Sequence, residues 1–143
     1  PNITDRRLYE KVRDELKKSG SMIKYKGRIK REKMASFYRS IDFLMLPSFR
    51  EALPTVAIEA MKYGVPVIAR NAYGTPEIVR DGRNGLLYDE NGLDKLIRRL
   101  AAIDSRKYAA MSRNCVKDFN AKFTAGKCAA AMDRILFGRV KKT

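Results

Sequence analysis

The spacing of hydrophobic positions changes along the chain, and the changes mark out its elements. Leu8, Val12 and Leu16 recur four apart, which predicts a charged helix from Ile3 to Lys18 that Gly20 ends. Met22 to Tyr25 predicts a short strand, followed by a turn at Gly27. Lys30 to Arg39 predicts a helix with Met34, Phe37 and Tyr38 facing inward. Ile41 to Leu46 is a nearly unbroken apolar run stopped by Pro47, the pattern of a strand buried on both faces of a parallel sheet. Pro54 opens a helix over Thr55 to Tyr63 and Gly64 closes it; Val65 to Ala69 is a second buried strand. A loop from Arg70 to Gly74 leads to a short helix at Pro76 to Val79 and a turn cluster at Asp81 to Gly85. Leu86 to Tyr88 predicts the last strand, and Leu93 to Ile103, Arg106 to Phe119 and Lys122 to Phe137 predict helices.

Strand and helix thus alternate over the first two-thirds, and helices alone follow. The expected fold is α/β: a Rossmann-like parallel sheet flanked by helices, with a helical C-terminal tail packed across it. No repeat, low-complexity stretch or internal linker interrupts it. In such sheets ligands sit beyond the carboxyl ends of the strands. The loops after Tyr25, Leu46 and Ala69 are therefore expected to share one rim.

Composition narrows the partners. The 143 residues suffice for one domain, and hydrophobic residues, 45% of the total, supply a core. No stretch approaches the roughly 20 apolar residues of a membrane-spanning helix. The chain starts at Pro1 without a charged-then-apolar leader, so it reads as a piece lacking its natural start. Lysine and arginine number 31 against 16 aspartates and glutamates, a net charge of +15 that draws the chain toward anions: phosphates, acidic lipid surfaces or nucleic acid. The basic residues are spread, with small clusters at Lys30-Arg31, Arg98-Arg99 and Arg139 to Lys142. Most of them read as solvated helix faces. The chain has no histidine and two separated cysteines, Cys115 and Cys128. That excludes zinc sites and Ser–His or Cys–His nucleophiles built within it, and fits a reducing, cytoplasmic setting with both cysteines packing between helices.

The most informative stretch runs from Ser48 to Ala69. Ser48 to Leu53 follows a buried strand and so lies at the rim; Pro54 then opens a helix. The first backbone N–H groups of a helix have no internal partners and carry partial positive charge, so an anion such as a diphosphate is held there without a side chain. From Pro54 to Met61 the helix is almost wholly apolar and Glu59 is its only charge, the pattern of a buried helix whose carboxylate needs a partner or a wet cleft. Glu59 lies roughly 7 Å along the axis at about 1.5 Å per residue, one sugar ring away from an anion at the helix start. Glu51 precedes the same start. One acid lies before the anion site and one beyond it, and carboxylates accept hydrogen bonds from sugar hydroxyls. The plainer reading makes Glu51 a loop charge and Glu59 a buried residue paired to a lysine or arginine; the strand–loop–helix setting of the pair favours the site.

The segment resembles the donor-binding motif of retaining glycosyltransferases of the two-lobed GT-B fold, family 4 type: a Glu, seven residues, a second Glu, then "EAM…G.PVIA". Here it runs from Glu51 to Glu59, through Ala60-Met61, to Gly64-Val65-Pro66-Val67-Ile68-Ala69. "YGTPEIVRDGRNGLLY", Tyr73 to Tyr88, is similar to the family's "GG.PEIV.DG.NGLLV", with Tyr73 where a glycine is common. "YKGRI" and "DFLMLPS" upstream match two further landmarks, so the likeness spans about Met22 to Leu100. The resemblance implies that residues 1–143 form one partial domain, the C-terminal donor-binding lobe, lacking the first strand of that lobe and the whole acceptor-binding lobe. It implies that Glu51, as the catalytic-site acid, binds hydroxyls of the transferred sugar and Glu59 those of the ribose. The diphosphate falls to backbone amides around Leu53, Pro54, Thr55 and Val56, with Pro54 lacking an N–H. Gly27, Arg28 and Ile29 would flank the base, and Gly74 and Glu77 would line the cleft. The implied reaction is sugar transfer from a nucleotide-sugar with retention of configuration, the leaving phosphate taking the acceptor's proton, with no metal and no cofactor beyond the nucleotide-diphosphate sugar as substrate. The implied partners are the donor, an N-terminal acceptor lobe and an anionic membrane surface touched peripherally.

Three rivals stand beside this reading. A nucleotide-sugar 2-epimerase would share the cleft, but the lack of histidine disfavours it. A non-catalytic basic module binding nucleotides or nucleic acid would draw on "YKGRIKREK", Tyr25 to Lys33; nucleic acid is the less favoured partner. A scaffold half that pairs with a separate acceptor-lobe protein shares every sequence feature.

Overall fold

The structure is a computed structural model, and it describes residues 6–20, 22–48 and 50–138. The chain divides into two compact units, Pro1–Met34 and Ala35–Thr143. The helix start expected at Ile3 and the basic cluster from Arg139 to Lys142 lie outside the described residues, as do the side chains of Leu8, Val12 and Leu16.

In the first unit, α1 spans Arg6–Lys18, and its last turn carries Lys17 and Lys18, cations at the negative end of the helix dipole. The strand expected at Met22 to Tyr25 does not form. The segment is irregular, and Met22, Ile23 and Tyr25 are exposed. A strand survives only if its backbone groups find a ladder partner, and none is present for this segment among the described residues. α2, Arg31–Arg39, crosses the boundary between the units. Its Tyr38 is 2% exposed, while Met34 and Phe37 are half-buried.

The second unit is a parallel sheet wrapped by helices. Its strands are β1, Leu44–Leu46; β2, Val67–Arg70; and β3, Gly85–Tyr88, in the order β1-β2-β3. Leu44 pairs with Val67, and Val67 with Gly85, so the three strands start level and end at one rim. α3, Thr55–Lys62, connects β1 to β2, and the four-residue α4, Thr75–Ile78, connects β2 to β3. Then follow α5, Leu93–Ala101; α6, Ser105–Lys122; and α7, Ala125–Phe137.

β2 is central, and Val67, Ile68 and Ala69 are all buried, as a doubly covered strand requires. β1 departs from the expectation of burial on both faces: it is shorter than the apolar run and Met45 is 48% exposed. Among the described residues it is an edge strand, paired only to β2. The core divides by the period of two along β2. Ile68 packs with Leu86, Leu96 and Met111, backed by Phe43, Tyr88, Leu100 and Ile103. Ala57, Ala60 and Met61 bury the inner face of α3. In the helical tail α6 buries Met111, Cys115 and Asp118, whereas α7 buries no residue. Cys115 therefore packs between elements as expected, and Cys128, on α7, is exposed.

A polar cluster ties the turn before β3 to α6. Asn84 is buried; its Oδ1 accepts from the Arg80 N–H at 2.7 Å, and its Nδ2 donates to the Ile78 carbonyl and to Asp118 Oδ2. Arg83 closes a two-pronged pair onto Asp118 at 2.9 and 3.2 Å, and the Cys115 thiol donates to the Asn84 carbonyl. Buried polar groups are tolerated only when bonded, and here each finds a partner. Hydrogen bonding to Arg83 holds the Asp118 carboxyl below the usual carboxylate range, while burial pushes the Cys115 thiol up to about 12. Gly85, the next residue, brings its backbone so close to β2 that a Cβ would lie 2.1 Å from the Val67 carbonyl oxygen.

Two expectations follow. Gly85→Ala forces β3 away from β2 and lowers stability by about 2–3 kcal/mol; urea denaturation reads this as a lower midpoint, and an unchanged midpoint would refute the close approach. The lowered Asp118 value makes its contribution full above the unfolded carboxyl value of about 3.9 and progressively lost as pH falls through the folded one. Denaturation midpoints measured between about pH 5 and pH 2 should fall, and the decline should be shallower in Asp118→Asn.

Candidate functional site

At the carboxyl ends of the strands the described residues form three loops, 47–48 with 50–54, 71–74 and 89–92. Asn71 joins the second to the third: its N–H donates to the Tyr88 carbonyl at 2.9 Å, and its Nδ2 to Asp89 Oδ1 at 3.2 Å. Arg70, at the end of β2, pairs with Glu90 at 3.2 Å. Gly74 joins the second loop to the first: its N–H donates to the Glu51 carbonyl at 3.1 Å. The two backbones touch so closely that a Cβ on Gly74 would lie 1.8 Å from the Ala52 carbonyl oxygen. Only glycine fits there, and the contact sets the Glu51 loop against the end of the central strand.

α3 starts at this rim. Pro54 is its N-cap and offers no side-chain hydrogen bond to the first N–H groups of the helix. The tip is open: Thr55 is exposed, Leu53 is 56% exposed and Val56 42%. An anion at this tip would meet the N–H groups of Leu53, Thr55 and Val56, since Pro54 has none.

Glu59 differs from its sequence reading. It is not buried: it is exposed and accepts a hydrogen bond at 3.0 Å from the Tyr38 hydroxyl, and among the described residues the plainer reading of a lysine or arginine partner is not met. The helix is one-sided rather than buried all round. Ala57, Ala60 and Met61 face the core, while Thr55, Glu59 and Lys62, at helical spacing, share the exposed side. Tyr38 is buried, stacks on Tyr63 with ring centres 5.5 Å apart, and leans on Phe37. Burial first, then the bond to Glu59, push its hydroxyl up to about 12, so it remains a donor at neutral pH. The sequence placed Tyr38 inward and missed this role; the signal was available, since a buried tyrosine needs an acceptor for its hydroxyl.

The remaining residues separate. Glu51 is half-buried in the loop just ahead of the tip, and Gly74 is the buried N-cap of α4, whose Glu77 is exposed. Glu51, Leu53, Pro54, Thr55, Val56, Glu59, Gly74 and Glu77 thus belong to two loops in backbone contact and the helices they open. Gly27, Arg28 and Ile29 belong to the first unit; Gly27 and Arg28 are exposed and Ile29 is half-buried. Among the described residues no strand precedes them, so the shared-rim argument does not extend to that loop. Among the described residues, no group of three or more His, Cys, Asp or Glu side chains could hold a metal ion.

The chain is similar to known proteins. The family model for glycosyl transferases group 1 matches residues 5–118. An uncharacterised glycosyltransferase of Methanocaldococcus jannaschii is 35% identical over 135 residues, 93% of this chain and 38% of that protein. D-inositol 3-phosphate glycosyltransferase of Mycolicibacterium smegmatis is 35% identical over 83 residues, 58% of this chain and 19% of that protein. Among solved structures, sucrose-phosphate synthase from Thermosynechococcus elongatus matches with a TM-score of 0.78 at 26% identity, over 92% of this chain and 34% of that one. HepE of Anabaena, solved in complex with UDP-glucose, matches with a TM-score of 0.75 at 22% identity, over 91% of this chain and 36% of that one, a likeness of fold. The chain therefore spans less than two-fifths of the length of these relatives. Its parallel strands covered by helices are the Rossmann-like arrangement of the GT-B fold. With the family model running over most of its length, the chain belongs to the glycosyl transferases group 1 family.

Proposed function

We propose that this chain is the donor-binding lobe of a retaining glycosyltransferase, and that it holds a nucleotide-sugar across the tip of α3. One observation carries the reading: an open helix start sits at the strand-end rim, with the Glu51 loop set ahead of it and Glu59 one turn inside on the same exposed face as Thr55. The diphosphate lies on the N–H groups of Leu53, Thr55 and Val56. Glu59, oriented by Tyr38, accepts from the ribose hydroxyls. Glu51 accepts from hydroxyls of the sugar to be transferred. Gly74 sets the Glu51 loop, and Glu77 is a weaker contributor.

Transfer breaks the bond between the anomeric carbon and a diphosphate oxygen. Negative charge grows on the leaving oxygens, and the fixed amide dipoles of the helix tip stabilise it without reorganising. Glu51 limits the sugar's motion, which contributes by proximity. Retention, with the leaving phosphate taking the acceptor's proton, follows from the resemblance of the Glu51–Glu59 motif. The acceptor is held by a second lobe. The charge of +15 supports work at the surface of an anionic membrane, and the two separated cysteines fit the reducing cytoplasm. Among the described residues no helix is long and apolar enough to cross one.

Calorimetry with UDP-, GDP- and ADP-linked sugars tests the donor reading. One donor class should bind. Glu59→Ala should weaken it about 10- to 100-fold, the value of a lost pair of hydrogen bonds to a charged group, and Tyr38→Phe by about threefold through a less ordered carboxylate. If no nucleotide-sugar binds, or if Glu59→Ala binds as well as the unaltered chain, the assignment fails. For the membrane, flotation should recover the chain with vesicles rich in phosphatidylserine at low salt and lose it with neutral vesicles or at high salt; equal recovery from both would remove that part.

A further inference from the structure

Tyr73 stands out on the rim. Among the described residues it is the one non-glycine residue with a positive φ, 51°. Left-handed backbone is disfavoured for L-residues with a Cβ. Such a conformation persists only where its surroundings over-determine it, and outliers of this sort concentrate at ligand sites. The surroundings here are rigid on both sides. Asn71 is bonded to the end of β3, Ala72 N–H donates to the Arg70 carbonyl and Thr75 N–H to that of Ala72. Gly74, the next residue, is locked by its bond to the Glu51 carbonyl and by its contact with Ala52.

The side chain on this strained turn is a large ring, 61% exposed, while its neighbours Gly74 and Thr75 are buried. Consecutive Cα atoms are about 3.8 Å apart, so the ring is rooted one residue from the backbone that touches the Glu51 loop. We infer that Tyr73 is a specificity-determining residue that packs on the transferred sugar; this rests on the donor-site reading above. A pyranose presents hydroxyls at its rim and C–H bonds on its faces. Glu51 suits the first and an aromatic face the second. The left-handed turn is what lets a ring project at this point while the following backbone stays pressed against the Glu51 loop. Because the nucleotide is held elsewhere, on α3, the ring acts on the sugar part of the donor alone.

The test separates ring, backbone and nucleotide. Tyr73→Asn keeps a residue that tolerates left-handed backbone and removes the ring; Tyr73→Gly does the same at no steric cost; Tyr73→Phe keeps the ring and removes the hydroxyl. Thermal melts come first, and the Asn and Gly variants should melt at or above the unaltered chain. Calorimetry then compares a nucleotide-sugar with its free nucleoside diphosphate: UDP-glucose against UDP, GDP-mannose against GDP, ADP-glucose against ADP. For the pair that the unaltered chain binds, Asn and Gly should lose about fivefold in affinity for the nucleotide-sugar, on the order of one aromatic packing contact. They should bind the free diphosphate unchanged, and Phe should stay within about twofold for both. Equal losses for sugar and diphosphate would make Tyr73 a structural residue of the turn, and no loss for either would remove it from the site; both overturn the inference. If the unaltered chain binds no member of the three pairs, the donor-site reading itself falls and takes this inference with it.

Discussion

The contact between Gly74 and the Glu51–Ala52 backbone is the constraint on which the rim depends. Among the described residues β1 is a three-residue edge strand. β2 is central, and its Val67, Ile68 and Ala69 are buried and laddered on both sides. By pressing a glycine from the β2 loop onto the β1 loop, with an N–H to carbonyl bond of 3.1 Å, the fold transfers the rigidity of its central strand to the loop that carries Glu51. The start of α3 comes directly out of that loop, so the position of the helix tip depends on the same contact.

The two acids are held in different ways. Glu51 is placed by backbone, through a loop that touches its neighbour. Glu59 is placed by a side chain: the hydroxyl of a buried tyrosine on α2 reaches an exposed carboxylate on α3, and the stack of Tyr38 on Tyr63 keeps that hydroxyl still. An exposed carboxylate with one fixed bond retains lone pairs for a ligand. Away from the rim, Arg83, Asn84, Cys115 and Asp118 join the turn before β3 to α6. That cluster has every polar group satisfied and serves the fold, whereas the tip of α3 is left open.

Much of this was legible in the residues because it depends on neighbours in the chain. Helix ends marked by proline or glycine, the apolar run of β2 and the Glu51-to-Glu59 spacing are local signals, and α3, β2, β3 and α4 fall within a residue or two of where those signals put them. Errors arose where a local signal needed a partner. Met22 to Tyr25 has strand composition but no ladder among the described residues. Ile41 to Leu46 is apolar enough for a covered strand, yet only three of its residues pair and one face of β1 is left exposed. The apolar sequence of α3 suggested burial all round, because periodicity cannot say which of its faces meets the core.

By itself, the sequence determined the alternation of elements, the helix that starts after Pro54, the placing of two acids around that start and the family to which the chain belongs. These depend on spacing and backbone preference, which act over a few residues. Only the tertiary structure decided that Tyr38 bonds Glu59 across 21 positions, that Asp118 meets Arg83 across 35, and that Gly74 has room for no side chain. It also decided that Tyr73 takes a left-handed turn at the rim. Such facts depend on which distant segments approach within a few ångströms, and a chain encodes that only through the packing of the whole core.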